Sequence, residues 1–154
     1  QFAYEILTAS PRVSSVIVGS AQDGDLQTNL GASWSLEGTE LLYSRSRILV
    51  AARAAGIDHP MDGVFLGLDD EDGLILDSEN ARRLGYRGKT VIHPKQIEPV
   101  HRVFTPDERE LAYYREMVLA FEETGGNAFN FKGKMLDRAM IRKARGLLDR
   151  FTIV

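Results

Sequence analysis

The feature that most constrains the fold of this chain is the alternation of short apolar strands with helices. Strands rich in β-branched or other large apolar residues are predicted at 13–18, 61–66 and 90–92. Helical patterns are predicted at 1–10, 37–55, 78–84 and 97–103. A strand–helix–strand alternation is typical of a parallel sheet with helical crossovers. The sequence therefore predicts an α/β fold.

The number of strands indicates that this α/β fold is part of a larger barrel. A parallel sheet of three strands leaves unpaired backbone groups along both edges. A closed (β/α)8 barrel needs about eight strands and roughly 250 residues, whereas this chain has 154 residues and begins with Gln1. We therefore expect residues 1–104 to form the second half of a TIM barrel. Residues 105–154 are expected to form a C-terminal helical extension, with a helix capped by Thr105 and a terminal helix at 137–151.

Composition excludes several classes of partner and site. The net charge is −3 at pH 7 and the basic residues are scattered, so neither nucleic acid nor an anionic membrane surface is an expected partner. No apolar run reaches the roughly 18 residues that a membrane-spanning helix needs. The sequence contains no cysteine, which excludes disulfides, zinc–thiolate sites and thiol nucleophiles and fits a reducing compartment. We therefore expect a cytoplasmic protein.

A histidine is predicted at the end of the third strand. Residues 88–97 combine a glycine, β-branched residues, His93 and Pro94, and a proline prevents further ladder hydrogen bonding. His93 is therefore expected at the C-terminal tip of this strand, where barrels bind their ligands. There it either hydrogen-bonds a substrate or braces its loop. Lys89 follows Gly88 in the same stretch and is either a partner for a phosphate group or an ordinary solvated lysine.

Two aspartates follow the first predicted strand and are candidate metal ligands. Mg²⁺ binds carboxylate oxygens together with substrate oxygens and water in an octahedral arrangement. A carboxylate just beyond a strand tip, such as Asp23 or Asp25, is well placed to supply one ligand. The alternative is that both are loop aspartates that accept hydrogen bonds from turn amides. The acidic run at 69–72 is expected to be a solvated loop, and no function is assigned to it.

Several motifs together resemble the citrate lyase β-subunit-like family, also called the HpcH/HpaI aldolase family. Residues 25–31 (DLQTNLG) are similar to the D-L-x-x-x-L-G segment of that family. Further stretches match in the family's order, at 40–48, 61–64, 72–74, 85–89, 92–97, 104–106 and 131–137. The resemblance covers essentially the whole chain. It implies a (β/α)8 barrel that makes or breaks carbon–carbon bonds in acyl-CoA thioesters.

The resemblance also implies a metal site. Asp25 takes the place of the family's aspartate ligand for Mg²⁺, with Mn²⁺ as a substitute. Asp23 is a rival ligand, because the spacing from Gly19 is longer than usual. A second ligand, a glutamate, and the arginines that hold the thioester would precede this chain. The residues at 27–29 depart from the small residues and the acid that the family carries there, which leaves the substrate preference open.

The same resemblance assigns residues to the acyl-CoA substrate. The positions expected to contact the substrate are Gly24, Asp25, Ile92 and His93. Lys89 is expected to contact the phosphates of CoA.

Asp137 is the candidate catalytic residue that the resemblance implies. In lyases of the family, an aspartate in a Met-x-Asp segment closes over the active site of a neighbouring subunit and exchanges a proton with the enol(ate) carbon. Asp137 ends a segment similar to this signature, which also implies a homo-oligomer, either a trimer or a hexamer. The alternative is that Asp137 is the N-cap of the terminal helix, and the two roles are compatible.

The expected function is that of a Mg²⁺-dependent lyase acting on a 3-hydroxyacyl-CoA thioester such as malyl-CoA or citramalyl-CoA. Two alternatives remain open. The same site could hydrolyse the thioester and release CoA, or the chain could be a non-catalytic half-barrel that binds a partner chain. Product analysis separates the two reactions, because a lyase yields glyoxylate or pyruvate and a hydrolase yields the intact hydroxyacid.

Overall fold

The computed structural model describes residues 1–151, which belong to two compact units. The first unit is Gln1–Phe104 and the second is Thr105–Val154. Each unit has a buried apolar core of its own.

The first unit is built on a parallel sheet of three strands. They are β1 (Ser15–Ile17), β2 (His59–Asp62) and β3 (Gly88–Lys89), and they lie in that order. Val16 is the register partner of Pro60, and Asp62 is the register partner of Lys89. Because neighbouring strands run in the same direction, their carboxyl ends lie along one edge of the sheet. This arrangement confirms the α/β architecture that the sequence predicts.

Helices and two short turns follow and connect the strands of this unit. They are α1 (Ala3–Thr8), α2 (Asp25–Leu30), α3 (Leu42–Ala54), α4 (Glu71–Leu84) and α5 (Ile97–Phe104), with short 3-10 turns at Thr39–Leu41 and Pro94–Gln96. Val18 packs with Leu49 of α3 and Ala81 of α4 in one buried cluster. Burial of apolar surface contributes roughly 25 cal/mol per Å², so this cluster holds both helices against the end of the sheet.

Two predicted strands lie at the wrong residues. β2 ends at Asp62, whereas a strand is predicted over 61–66, and β3 ends at Lys89, whereas a strand is predicted over 90–92. The last rung between them joins the Thr90 amide to the Asp62 carbonyl at 3.0 Å. Beyond it, a side chain takes the place of a strand, because Gln96 accepts a hydrogen bond from the Ile92 amide at 3.0 Å.

The helix predicted at 78–84 is longer than expected. α4 begins at Glu71, and Asp70 caps it by accepting a hydrogen bond from the Gly73 amide at 2.9 Å. Gly73 leaves room for this cap, since a Cβ there would lie 2.8 Å from Cγ of Asp70. The acidic residues in the first turn also interact favourably with the positive end of the helix dipole. The acidic run at 69–72 is therefore mainly a helix start rather than a solvated loop.

Two further helices differ from the sequence analysis. The long helix predicted at 37–55 is divided into the 3-10 turn and α3, and Gly38 before them has a φ of 68°. α2 is not predicted, because its six residues are too few to show a helical period.

The second unit consists of two helices and a hairpin. They are α6 (Glu108–Glu123), β4 (Phe129–Phe131), β5 (Lys134–Leu136) and α7 (Arg138–Phe151), and β4 pairs antiparallel with β5. Side chains from all four elements fill its core, among them Met117, Phe121, Phe131, Leu136 and Ile141. No helix within residues 1–151 is long and apolar enough to cross a membrane.

Two details of this unit correct the sequence analysis. The hairpin is not predicted, because three residues per strand are too few for an alternating pattern. Its turn residues Lys132 and Gly133 have φ values of 50° and 82°, as in the type I′ turns that suit hairpins. The cap of α6 is Asp107 and not Thr105, since Asp107 Oδ1 accepts a hydrogen bond from the Glu110 amide at 2.7 Å.

Candidate functional site

The candidate site lies at the carboxyl edge of the three-stranded sheet. The loops that follow β1, β2 and β3 begin at this edge, and in α/β folds ligands bind where such loops meet. Asp25 follows the first loop, and Ile92 and His93 belong to the third.

Asp25 is presented with an open carboxylate. It is the first residue of α2, its side chain is exposed, and no other group within residues 1–151 forms a hydrogen bond or ion pair with that carboxylate. Asp23 is also exposed, with a φ of 54°. Mg²⁺ keeps several waters and is commonly bound through one or two carboxylates plus substrate oxygens. The donor chemistry of Asp25 therefore fits one ligand of a magnesium ion.

The described part of the chain does not contain a metal site built from three or more side-chain ligands. No cluster of three or more His, Cys, Asp or Glu side chains suited to a metal occurs within residues 1–151. A divalent cation at Asp25 would thus find at most one further His, Cys, Asp or Glu side chain among these residues.

The loop before Asp25 is held against the neighbouring strand. The Ser20 hydroxyl donates a hydrogen bond to Asp62 Oδ1 at 3.4 Å. Gly63 allows the backbones to approach, because a Cβ on it would lie 2.6 Å from the Val18 carbonyl oxygen and 2.8 Å from the Ser20 amide nitrogen. The first loop is therefore fixed at its start by contacts with the end of β2.

A buried network of charges lies under the strand ends. Asp62 is fully buried, and its Oδ2 lies 2.9 Å from Arg45 Nη2 and 2.8 Å from Lys89 Nζ. Lys89 Nζ also forms an ion pair with Asp77 of α4. Two cationic side chains thus face two carboxylates. This pairing compensates charges that would be very costly to bury alone.

Tyr86 belongs to the same network. Its hydroxyl donates a hydrogen bond to the Arg45 carbonyl oxygen at 2.8 Å. Burial, together with the negative charge of Asp62, raises the pKa of Tyr86 above its ordinary value. The phenol therefore stays protonated wherever the protein is folded near neutral pH.

Sequence reasoning missed this network, although signals for it exist. Asp62 is the second residue of the strand predicted at 61–66, Lys89 directly precedes the strand predicted at 90–92, and both fall within the family-like motifs at 61–64 and 85–89. A charged residue in or beside a short apolar strand indicates either a buried partner or a site.

Lys89 does not fit the role of a CoA phosphate contact. Its side chain is 0% exposed, and both Asp62 and Asp77 pair with its ammonium group. A phosphate would have to enter the buried layer and displace a carboxylate. The structure thus corrects both interpretations of Lys89 from the sequence, because the lysine is neither solvated nor turned towards a ligand.

His93 lies in a loop and not at the tip of a strand. β3 ends at Lys89, and His93 is the N-cap of the 3-10 turn Pro94–Gln96, with its Nδ1 accepting a hydrogen bond from the Lys95 amide at 3.1 Å. This contact shows the bracing function that the sequence analysis considered. Since Nδ1 accepts in this arrangement, a neutral ring carries its proton on Nε2.

Ile92, the residue before His93, is held in place by the buried side chain of Gln96. Gln96 is 2% exposed; its Oε1 accepts from the Ile92 amide at 3.0 Å, and its Nε2 donates to the Phe65 carbonyl at 2.8 Å. Phe65 follows β2 and Ile92 follows β3, so this one amide joins two loops of the site. The side chain of Ile92 is 52% exposed and offers an apolar surface at the edge.

Asp137 belongs to the second unit and caps α7. Its Oδ1 accepts hydrogen bonds from the amides of Ala139 at 2.9 Å and Met140 at 3.1 Å. The structure thus shows the capping role, and the side chain is exposed.

The comparison with protein families decides which family this is. The model of the HpcH/HpaI aldolase/citrate lyase family matches residues 1–94. The chain belongs to this family. The resemblance based on the motifs is therefore confirmed.

Named relatives of the family are similar to nearly the whole chain. The mitochondrial citramalyl-CoA lyase of Mus musculus is 32% identical over 154 residues, which cover 97% of this chain and 45% of the relative. The citrate lyase subunit beta of Escherichia coli K12 is 36% identical over 151 residues, which cover 96% of this chain and 49% of the relative. The chain thus spans about half the length of these relatives.

Solved structures of the family share the fold. The crystal structure of CitE from Mycobacterium tuberculosis, in complex with magnesium, acetoacetate and coenzyme A, matches with a TM-score of 0.81 and 31% identity. The match covers 98% of this chain and 56% of CitE. A citrate lyase from Burkholderia xenovorans LB400 shares the fold with a TM-score of 0.76 at 24% identity. These likenesses confirm the predicted fold class, an α/β half-barrel with a C-terminal helical extension.

Proposed function

We propose that this chain is part of a Mg²⁺-dependent lyase that breaks or forms a carbon–carbon bond in a 3-hydroxyacyl-CoA thioester. Malyl-CoA and citramalyl-CoA are the proposed substrates. Membership of the family, the named lyases among the relatives, and the magnesium and coenzyme A in the CitE complex support this proposal. The single observation that carries it is the open carboxylate of Asp25 beyond the end of β1.

Asp25 is proposed to hold the metal ion, with Asp23 as the rival. The chemistry that a bound Mg²⁺ supplies is stabilisation of negative charge on the oxygens of the substrate. Asp23 has its backbone amide bound within its own turn, and Asp25 starts the helix that follows. Mn²⁺, which accepts the same oxygen ligands, is expected to replace Mg²⁺.

Gly24, Ile92 and His93 are proposed to line the acyl-CoA site. Gly24 is the N-cap of α2 and brings backbone without a side chain next to Asp25. The exposed face of Ile92 supplies apolar contact, and Gln96 holds its loop in place. His93 is proposed to contact the substrate through the backbone of its loop and through Nε2, the ring nitrogen that does not bond to the Lys95 amide.

Asp137 is proposed to complete the site of a neighbouring subunit in a homo-oligomer, either a trimer or a hexamer. An exposed carboxylate supports this role, as does Met135 two residues before it, which is 73% exposed and offers an apolar surface to a substrate. In that position Asp137 would give a proton to the carbon of the enolate or remove one from it.

The remaining expectations concern partners and location. An acyl-CoA is the proposed small-molecule partner, and neither nucleic acid nor a membrane surface is proposed, given the net charge of −3. A cytoplasmic location stays a prediction from the absence of cysteine. The mouse relative is named as a mitochondrial enzyme.

Product analysis tests the proposed reaction. The protein in its natural length is incubated with Mg²⁺ and either citramalyl-CoA or malyl-CoA. A lyase yields acetyl-CoA with pyruvate or glyoxylate, and Asp25→Asn is expected to lose this activity. Free CoA with an intact hydroxyacid would instead establish a thioester hydrolase. Absence of both product sets would contradict a catalytic role and favour a half-barrel that only binds a partner chain.

A further inference from the structure

The turn before α2 depends on a buried glutamine that no proposed step uses. Gln27 is the third residue of α2 and is 3% exposed. Its Oε1 accepts a hydrogen bond from the Asp23 backbone amide at 2.7 Å. Gln27 therefore connects the first turn of the helix to the loop that leads into Asp25.

This contact resembles one half of a capping box. In a capping box, a Glu or Gln at the third helical position reaches back to an amide at the helix start. Here the N-cap is Gly24, which has no side chain to make the reciprocal bond, and Gln27 reaches one residue further back. Gln27 thus supplies the side-chain contribution to this helix start.

The backbone that Gln27 holds is in an unusual conformation. Asp23 has a φ of 54°, in the left-handed region that residues other than glycine seldom adopt. Gly24 after it is extended, with φ −79° and ψ 172°, and its amide donates to the Ala21 carbonyl at 3.1 Å. Without the bond from Gln27, the Asp23 backbone would lose a contact that keeps this conformation.

The two ends of the loop are held by different residues. The start of the loop is held against β2 by the hydrogen bond from Ser20 to Asp62 and by the close backbone approach that Gly63 allows. Gln27 holds its end through the Asp23 amide, two residues before Asp25. The Gln27 contact therefore holds the backbone that leads into Asp25.

We propose that Gln27 is a positioning residue that sets the affinity of the Asp25 site for a divalent cation by fixing the Asp23–Asp25 backbone. The inference rests on the proposed metal role of Asp25. Magnesium sites tolerate little deviation in ligand geometry. Loss of a residue that orients a ligand typically weakens metal binding about 10–100-fold.

The test is a titration of the metal-free protein, in its natural length, with Mn²⁺ and no substrate. Free Mn²⁺ is measured by its electron paramagnetic resonance signal, and the melting temperature of each metal-free variant is recorded. Gln27→Met has a similar length without an acceptor, and Gln27→Asn keeps the amide but is one methylene shorter. Both are expected to raise the Kd for Mn²⁺ about tenfold or more.

Two variants serve as controls. Gln27→Glu keeps an oxygen acceptor at the same reach, so its Kd is expected to stay within about threefold of wild type or to be lower. Thr28→Ala changes an exposed neighbour on the same helix and is expected to leave the Kd unchanged.

Several outcomes would overturn the inference. It is contradicted if Gln27→Met and Gln27→Asn bind Mn²⁺ within twofold of wild type, or if Gln27→Glu is as weak as Gln27→Met. It is also contradicted if neither Gln27→Met nor Gln27→Asn folds, because Gln27 would then be required for folding and not specifically for the metal site. Asp25→Asn separates this result from failure of the proposed function: if that variant binds Mn²⁺ like wild type, the metal role itself is wrong.

Discussion

Asp62 and Lys89 are register partners at the ends of two neighbouring parallel strands, and their side chains form a buried ion pair of 2.8 Å. Arg45 and Asp77 complete a charge-balanced set around them. The helices α3 and α4 are thereby connected to the edge of the sheet from which the site loops begin.

Removal of Asp62 is expected to destabilise the protein strongly. Asp62→Ala leaves Arg45 and Lys89 buried with only one carboxylate nearby, which costs about 3–5 kcal/mol of unfolding free energy. Urea denaturation of the protein measures this loss. The matched control is Asp69→Ala, which breaks the exposed pair with Lys95 and should cost less than about 1 kcal/mol. Equal effects of the two substitutions would show that the buried network does not stabilise the fold.

The raised pKa of Tyr86 predicts that the folded protein loses stability at high pH. Burial and the charge of Asp62 raise the pKa of Tyr86 in the folded state, whereas the unfolded phenol ionises near pH 10. The folded protein then holds more protons above about pH 10, so this stabilisation is present below that pH and is lost as the pH rises.

Tyr86→Phe tests this linkage. At pH 8 the variant should be about 1 kcal/mol less stable, because the hydrogen bond to the Arg45 carbonyl is lost. Its deficit relative to wild type should shrink as the pH rises from about 9 to about 11. Tyr43→Phe, at a tyrosine that is 79% exposed, should follow the wild-type pH curve. A constant deficit at every pH would contradict the raised pKa.

Gly63 is expected to be intolerant of a side chain. Gly63→Ala would place a methyl group 2.6 Å from the Val18 carbonyl oxygen, so the first loop must move away from β2. The expected cost is about 1–3 kcal/mol of unfolding free energy, together with weaker Mn²⁺ binding at Asp25. Gly19→Ala lies in the same loop, where a Cβ meets nothing within 4 Å, and should leave both quantities nearly unchanged. Equal Mn²⁺ affinities of the two variants would contradict the connection between Gly63 and the site.

Asp137 predicts complementation between subunits. Asp137→Asn should keep α7 capped, because Asn is a good N-cap residue, and it should abolish turnover. Asp25→Asn should be inactive for a different reason. Mixed oligomers of the two variants contain some sites with both aspartates intact, so activity should reappear after joint refolding. A mixture that stays inactive although mixed oligomers are shown to form would exclude a site shared between subunits.

The order of the main elements could be predicted from the sequence, because it depends on local patterns. Glycine and proline end the segments, and a capping residue followed by proline and acidic residues predicts a helix near the start of α6. The bounds of β2 and β3 could not be predicted, because they depend on the partner strand. The last hydrogen bond between these two strands joins the Thr90 amide to the Asp62 carbonyl, and pairing stops there.

The site was predicted less completely than the fold. Asp25 belongs to a motif, but the pattern reveals neither the six-residue helix that it starts nor the hydrogen bond between Gln27 and the Asp23 amide before it. Lys89 looked available because a glycine precedes it, and only the register with Asp62 shows why its charge points inward. Pairings between distant residues thus decide what local patterns leave open.

The proposed function depends on binding of a divalent cation by the Asp25 carboxylate at the carboxyl edge of the sheet. Anomalous diffraction from crystals of the protein in its natural length, grown with Mn²⁺ and a CoA thioester, locates such an ion. A manganese peak is expected about 2–2.3 Å from an Asp25 carboxylate oxygen. A peak bound to Asp23 or to other residues, with Asp25 turned into solvent, would contradict it.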